Sequence, residues 1–81
     1  EILIVDDDPI NLQVLENYLS LSESEYRITQ ATSGSAALAL LADDYQPDLV
    51  VLDVMMPRMT GYEVTKTIRA NQGRDQLPIV L

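Results

Sequence analysis

Uninterrupted apolar runs occur at Ile2-Leu3-Ile4-Val5, Leu49-Val50-Val51-Leu52 and Ile79-Val80-Leu81. Runs of Val, Ile and Leu without polar alternation suit strands covered on both faces, as in a parallel sheet, and a buried helical turn of the same length has the same pattern. A further strand is expected at Tyr26-Arg27-Ile28-Thr29-Gln30, where β-branched and aromatic residues alternate in part, as on a sheet edge.

Helical patterns fill the intervals. Asp8 precedes Pro9, which biases Asp8 away from α geometry and presets Pro9 for a first helical position, so Asp8 reads as an N-cap. Leu12, Leu15 and Leu19 follow at i, i+3 and i+7, with Val14 and Tyr18 expected to widen the stripe. Ser22-Glu23-Ser24-Glu25 then reads as an exposed loop. A second helix is expected after Ser33, with Ala37, Leu40 and Leu41 inward, fading by Asp43-Asp44. Gln46-Pro47 leads into the next strand. A third helix opens at Thr60, where Thr60 and Glu63 have capping-box spacing and Val64 and Ile68 form an i, i+4 pair. Gly73 is the expected end signal. The order β-α-β-α-β-α-β implies right-handed crossovers and a parallel sheet. Its last strand has only three residues and nothing after it to cover it, so the 81 residues read as part of a longer domain.

Composition narrows the chemistry. Cysteine and histidine are both absent, which excludes disulfides, thiolate or imidazole metal sites and Ser-His-Asp catalysis. The longest apolar run, Ala36 to Ala42, is far short of the ~20 residues that span a bilayer. No basic leader precedes a hydrophobic segment, so no signal peptide is expected. With 13 Asp+Glu against 5 Lys+Arg the formal charge is −8, which argues against direct nucleic-acid binding by this segment. Carboxylate chemistry remains.

Ligands of open parallel sheets bind beyond the carboxyl ends of the strands. Asp6 and Asp7 follow the first strand and Asp53 follows the Leu49–Leu52 run. If those strands are neighbours, three carboxylates converge, an arrangement that needs a compensating cation. Oxygen ligands alone select a hard one, Mg²⁺. An isolated Asp-Asp pair is usually a solvated loop, but a further acid at the end of a separate apolar strand is a poor place for unpaired charge. Asp43, Asp44, Glu23 and Glu25 read as exposed surface, and Met55, Met56 and Met59 as packing or loop residues. Thr32-Ser33-Gly34 lacks the spacing of a phosphate cradle.

Ile2-Leu3-Ile4-Val5-Asp6-Asp7, Asp48 to Pro57, Gly61 and Leu77-Pro78-Ile79-Val80 together resemble the receiver domain of two-component response regulators, in register along the whole chain. The resemblance implies an α/β, flavodoxin-like doubly wound parallel sheet, of order 2-1-3-4-5 when complete. Residues 1–81 would be an incomplete receiver domain, from strand 1 to strand 4. Asp53 would then be the phosphoacceptor, taking a phosphoryl group from a phosphohistidine on a histidine kinase or histidine phosphotransfer protein. Asp7 would be a direct Mg²⁺ ligand and Asp6 would help hold the ion, often through water. The Met55 backbone carbonyl would complete the site, and Pro57 and Gly61 would shape the adjoining loop. The family's switch Ser/Thr and Lys, and the output face through which a homodimer would form, match positions after Leu81. A cytoplasmic phosphorelay module is implied, not itself an enzyme, with no membrane contact; its parent could be a hybrid histidine kinase or an enzyme-linked regulator.

Two other readings stay open on the residues. A Mg²⁺-dependent phosphohydrolase of the haloacid-dehalogenase type needs a second Asp two residues after its nucleophile, a spacing that Asp6 and Asp8 have and Asp53 with Met55 lacks. A pseudo-receiver would act by protein contacts alone.

Overall fold

The computed structural model describes residues 1–21, 26–70 and 77–81. Its elements run β1 (Ile2–Val5), α1 (Pro9–Ser20), β2 (Ile28–Ala31), α2 (Gly34–Ala42), β3 (Leu49–Leu52), α3 (Gly61–Ala70) and β4 (Ile79–Val80). The expected loop at Ser22–Glu25 and the end signal at Gly73 lie outside the described residues. The four strands form one parallel sheet in the order β2-β1-β3-β4. β2 is an edge strand, as its mixed pattern predicts, but it starts two residues later than Tyr26.

All four residues of β1 are buried because helices cover both sheet faces. Successive strand side chains point to opposite faces, so β1 feeds two cores. Leu3 and Val5 join Val50 and Leu52 of β3, Ala37 and Leu41 of α2, Val64 and Ile68 of α3, and Met56. Ile2 and Ile4 meet Leu12 on the other face, with Leu15, Leu19, Ile28, Leu49 and Val51 packed around them. Each fully buried aliphatic side chain here contributes about 1.5–3 kcal/mol relative to an exposed one.

The helix starts are capped as the sequence indicates. Asp8 accepts a hydrogen bond from the Ile10 amide at 2.9 Å, and Ser33 accepts from the Ala36 amide at 3.0 Å. Thr60 Oγ1 accepts from the Glu63 amide at 3.2 Å, while its hydroxyl donates to Glu63 Oε1 at 3.5 Å. The box is therefore closed through the Thr60 hydroxyl.

Val14 and Tyr18 do not widen the inward stripe of α1. They are 61% and 73% exposed, and with Ile10 and Leu21 they form a second apolar stripe facing solvent. At 100° per residue these positions lie about 160–240° around the helix from Leu12. Leu15 and Leu19 fall beside Leu12 and pack inward.

Candidate functional site

The site is set by the ladder between β1 and β3, which pairs Val5 with Leu52. The next residue of each strand is an aspartate, so Asp6 and Asp53 leave the sheet at the same level. The ladder also continues past the strand ends. The Asp53 amide donates to the Val5 carbonyl at 2.9 Å, and the Asp6 amide donates to the Ala31 carbonyl at 3.1 Å. Both backbones are thus held where their side chains project from the carboxyl edge of the sheet.

One carboxylate oxygen from each of Asp6, Asp7 and Asp53 lies within 4.8 Å of the others. Asp6 and Asp53 are half-buried and Asp7 is exposed. Asp6 Oδ1 accepts from the Asp8 amide at 2.9 Å, and Asp53 Oδ1 accepts from the Met55 amide at 3.3 Å. These short turns fix the two carboxylates and leave their other oxygens unengaged by the same bonds. The Asp7 carboxyl is pushed above its ordinary value of 3.8, first by loss of hydration, then by the Asp6 side chain and by the charges of Asp6 and Asp53; its own backbone amide works in the opposite direction. The cluster is mutually repulsive. Its oxygen-only donor set suits a hard cation, and its span is comparable with the ~4 Å between opposite oxygens on Mg²⁺.

Repulsion of this kind predicts that Asp7→Asn raises the melting temperature of the metal-free, full-length protein at neutral pH, since Asn keeps the shape and removes one of three like charges. An unchanged or lower melting temperature would show that the three charges are already relieved by solvent.

The loop after Asp53 closes on itself. The Gly61 amide donates to the Val54 carbonyl at 3.0 Å and the Met59 amide to the Pro57 carbonyl at 2.7 Å. Arg58 between them is left-handed, with φ 69°. Met56 is buried, Met59 packs on the core, and Met55 is 80% exposed. A Cβ on Gly61 would sit 2.6 Å from the Asp53 carbonyl oxygen, so the first residue of α3 rests directly on the Asp53 peptide. Asp8, which the phosphohydrolase alternative requires beside Asp6, is instead engaged as the α1 cap and stands outside the three-carboxylate cluster.

Residues 2–81 match the response regulator receiver domain family. The chain belongs to it.

Among curated relatives, this receiver segment is 46% identical over 80 residues to the response regulator MprA of Mycolicibacterium vanbaalenii, covering 99% of this chain and 32% of that protein. It is 44% identical over 79 residues to a probable cyclic di-GMP phosphodiesterase of Vibrio cholerae, covering 98% of this chain and 17% of that protein. The segment therefore spans a third or less of these relatives. The N-terminal domain of a response regulator receiver protein from Methanoculleus marisnigri superposes with a TM-score of 0.85 at 36% identity, over 96% of this chain and 61% of that one. The response regulator TrrA of Thermotoga maritima, solved in complex with Mg(2+)-BeF, gives 0.76 at 38% identity, over 84% of this chain and 56% of that one. The sheet order and three helices are those of the flavodoxin-like receiver fold, and receiver domains bind Mg²⁺ at an acidic pocket.

Residue type and chain position identified all three carboxylates. The Gly61 contact with the Asp53 peptide, the Gly34 contact described below and the outward stripe of α1 were missed. Angular positions on a helical wheel reveal the stripe; the resemblance marks Gly61 as a loop-shaping residue without giving its contact, and no sequence signal marks the Gly34 contact.

Proposed function

We propose that this receiver segment accepts a phosphoryl group on Asp53 from a phosphohistidine of a histidine kinase or phosphotransfer protein, with Asp6 and Asp7 holding Mg²⁺. The carrying observation is the convergence of three carboxylates from two non-consecutive but adjacent strands. The Mg(2+)-BeF complex of the related TrrA supports it. Asp53 and the Met55 backbone carbonyl complete the ion's ligands in this reading, with Pro57 and Gly61 setting the loop. Bound there, Mg²⁺ supplies the positive charge that screens nucleophile from phosphoryl group.

Within that frame the chain's own residues bind and orient. The Val5 carbonyl holds the Asp53 peptide and the Met55 amide holds one carboxylate oxygen, leaving the other to attack phosphorus in line. A P–O bond forms as the P–N bond of the phosphohistidine breaks, and the electron pair returns to the imidazole nitrogen. The product concentrates roughly −1.5 to −2 charges at the strand end, a change an adjoining loop can sense. Residues 1–81 are the first part of a longer receiver domain in this reading, supported by their 61% coverage of the Methanoculleus domain. A homodimer would use elements after Leu81, and the cytoplasm is the expected compartment. Among the described residues no helix is long and apolar enough to cross a membrane. The test is labelling of the full-length protein by a small-molecule phosphodonor. Acid-labile label that requires Mg²⁺ supports the reading, and label indifferent to Mg²⁺ overturns it.

The outward stripe of α1 supports a seat for the donor protein. Ile10, Val14 and Tyr18 start at the helix turn adjoining the carboxylates and run along the exposed face. Val14→Asp is expected to slow transfer from a phosphohistidine protein by about tenfold or more, as for loss of a central apolar anchor. Labelling by a small phosphodonor should be unchanged. Equal slowing with both donors would place the damage in the site instead.

A further inference from the structure

Gly34 opens α2 on the face of the sheet that α2 and α3 share. A methyl group on its Cα would lie 2.7 Å from Val64 Cγ2, 3.0 Å from Met59 Sδ and 3.2 Å from Met59 Cγ. The thioether of Met59 can swing aside, whereas Val64 is fully buried in the helix and stiff at χ1. Met59 and Val64 bracket the joint at Gly61, where the α3 backbone bonds to Val54 and rests on the Asp53 carbonyl. Bulk at position 34 therefore pushes on the first turn of α3, and that turn has the Asp53 peptide directly behind it.

We propose that Gly34 is a positioning residue for the carboxylate cluster: the space it leaves for Met59 and Val64 seats the 54–60 loop and the start of α3, and so sets how far Asp53 stands from Asp6 and Asp7. The inference rests on the metal reading above and adds to it a residue that touches none of the three carboxylates. The two divalent ions distinguish its role from general support of the core. Mg²⁺ demands near-ideal octahedral geometry at about 2.0–2.1 Å, while Ca²⁺ accepts irregular sites at about 2.3–2.6 Å. A shift of a few tenths of an ångström at Asp53 penalises the smaller ion selectively, whereas loss of core stability in a protein that still folds leaves their ratio alone.

The experiment titrates Mg²⁺ and Ca²⁺ separately into full-length wild type, Gly34→Ala, Gly34→Ala with Val64→Ala, and Met59→Ala, each verified as folded by its melting transition. Gly34→Ala is expected to weaken Mg²⁺ about tenfold, the effect usual for a group supporting metal ligands, with a smaller loss for Ca²⁺. Removing Val64 Cγ2 in the double variant should restore much of the Mg²⁺ preference. Met59→Ala, which empties the same contact without adding bulk, should also lower that preference and serves where Gly34→Ala does not fold. Wild-type Mg²⁺ affinity and ion ratio in folded Gly34→Ala, or in Met59→Ala if the former is unfolded, overturn the role of Gly34 alone. Wild-type protein that binds neither ion overturns the metal reading and this inference with it.

Discussion

Asp53→Asn is expected to abolish Mg²⁺-dependent, acid-labile phosphorylation of the full-length protein, a loss on the order of 10⁴-fold or more, as for other removed nucleophiles. Asn fits the same space, and its amide oxygen can still accept from the Met55 amide as Asp53 Oδ1 does. The backbone bond from residue 53 to Val5 is also untouched. The variant is thus expected to keep the fold and to lose the charged oxygen that is proposed to attack phosphorus. It also removes one of the three negative charges proposed to hold the ion, so Mg²⁺ binding should weaken in parallel. Label persisting in folded Asp53→Asn would move the acceptor elsewhere, with Asp6 and Asp7 the nearest carboxylates. Multiple turnover of a phosphate monoester by wild type would instead revive the hydrolase alternative, and wild type that takes neither label nor Mg²⁺ would favour a module acting by contacts alone.

Gly61→Ala is expected to destabilise the full-length protein by about 2–3 kcal/mol, and two effects of opposite sign decide that number. Ala is the better helix former, by up to about 1 kcal/mol in a helix interior and less at the first helical position, where residue 61 stands. Against this, the new methyl would meet the Asp53 carbonyl oxygen at 2.6 Å, the Val54 Cα at 3.0 Å and the Asp53 carbonyl carbon at 3.2 Å. All three are backbone atoms at the end of a strand and cannot rotate away. Relief requires α3 to back off, which strains the 3.0 Å bond from the residue 61 amide to the Val54 carbonyl. Overpacking costs about 1–3 kcal/mol and a strained or lost hydrogen bond about 1 more, so the clash wins. A lower denaturant midpoint at unchanged slope is the measurement. A midpoint at or above wild type would show that α3 slides back freely. Because the clash is with the Asp53 peptide, Mg²⁺ affinity should fall even where folding survives.

The sheet and its carboxylates were legible because their signals are local. Fully apolar runs at Ile2–Val5 and Leu49–Leu52 suit strands covered on both faces, and the acids that end them inherit their position from the strands. Caps at Asp8 and Thr60 were equally readable, since each acts within three residues of itself. What failed was the angular bookkeeping of α1. Residue type alone puts Val14 and Tyr18 inward, yet the helix carries two apolar faces on opposite sides, and only one can meet the sheet. β2 starts later than its pattern suggests because Tyr26 and Arg27 have strand-compatible side chains, but Arg27 lends β1 only its carbonyl, which accepts from the Ile2 amide at 2.7 Å, and residue pairing begins at Ile28 opposite Ile2. The left-handed turns at Asp44 and Arg58 carry no glycine to announce them, and the close approach at Gly34 depends on Met59 and Val64, distant in the chain.

The strand order has a kinetic corollary. β1 and its ladder partner β3 are separated in sequence by β2 and two helices, so bringing residues 6 and 53 together closes a loop of more than forty residues. Parallel pairings across such loops are the slow events of folding, since chain entropy is lost before contacts compensate. The electrostatic penalty of the carboxylates falls on that same event. A divalent cation held there as proposed would offset that penalty during folding too, easing the docking of β3 onto β1 while the polypeptide is still acquiring its shape.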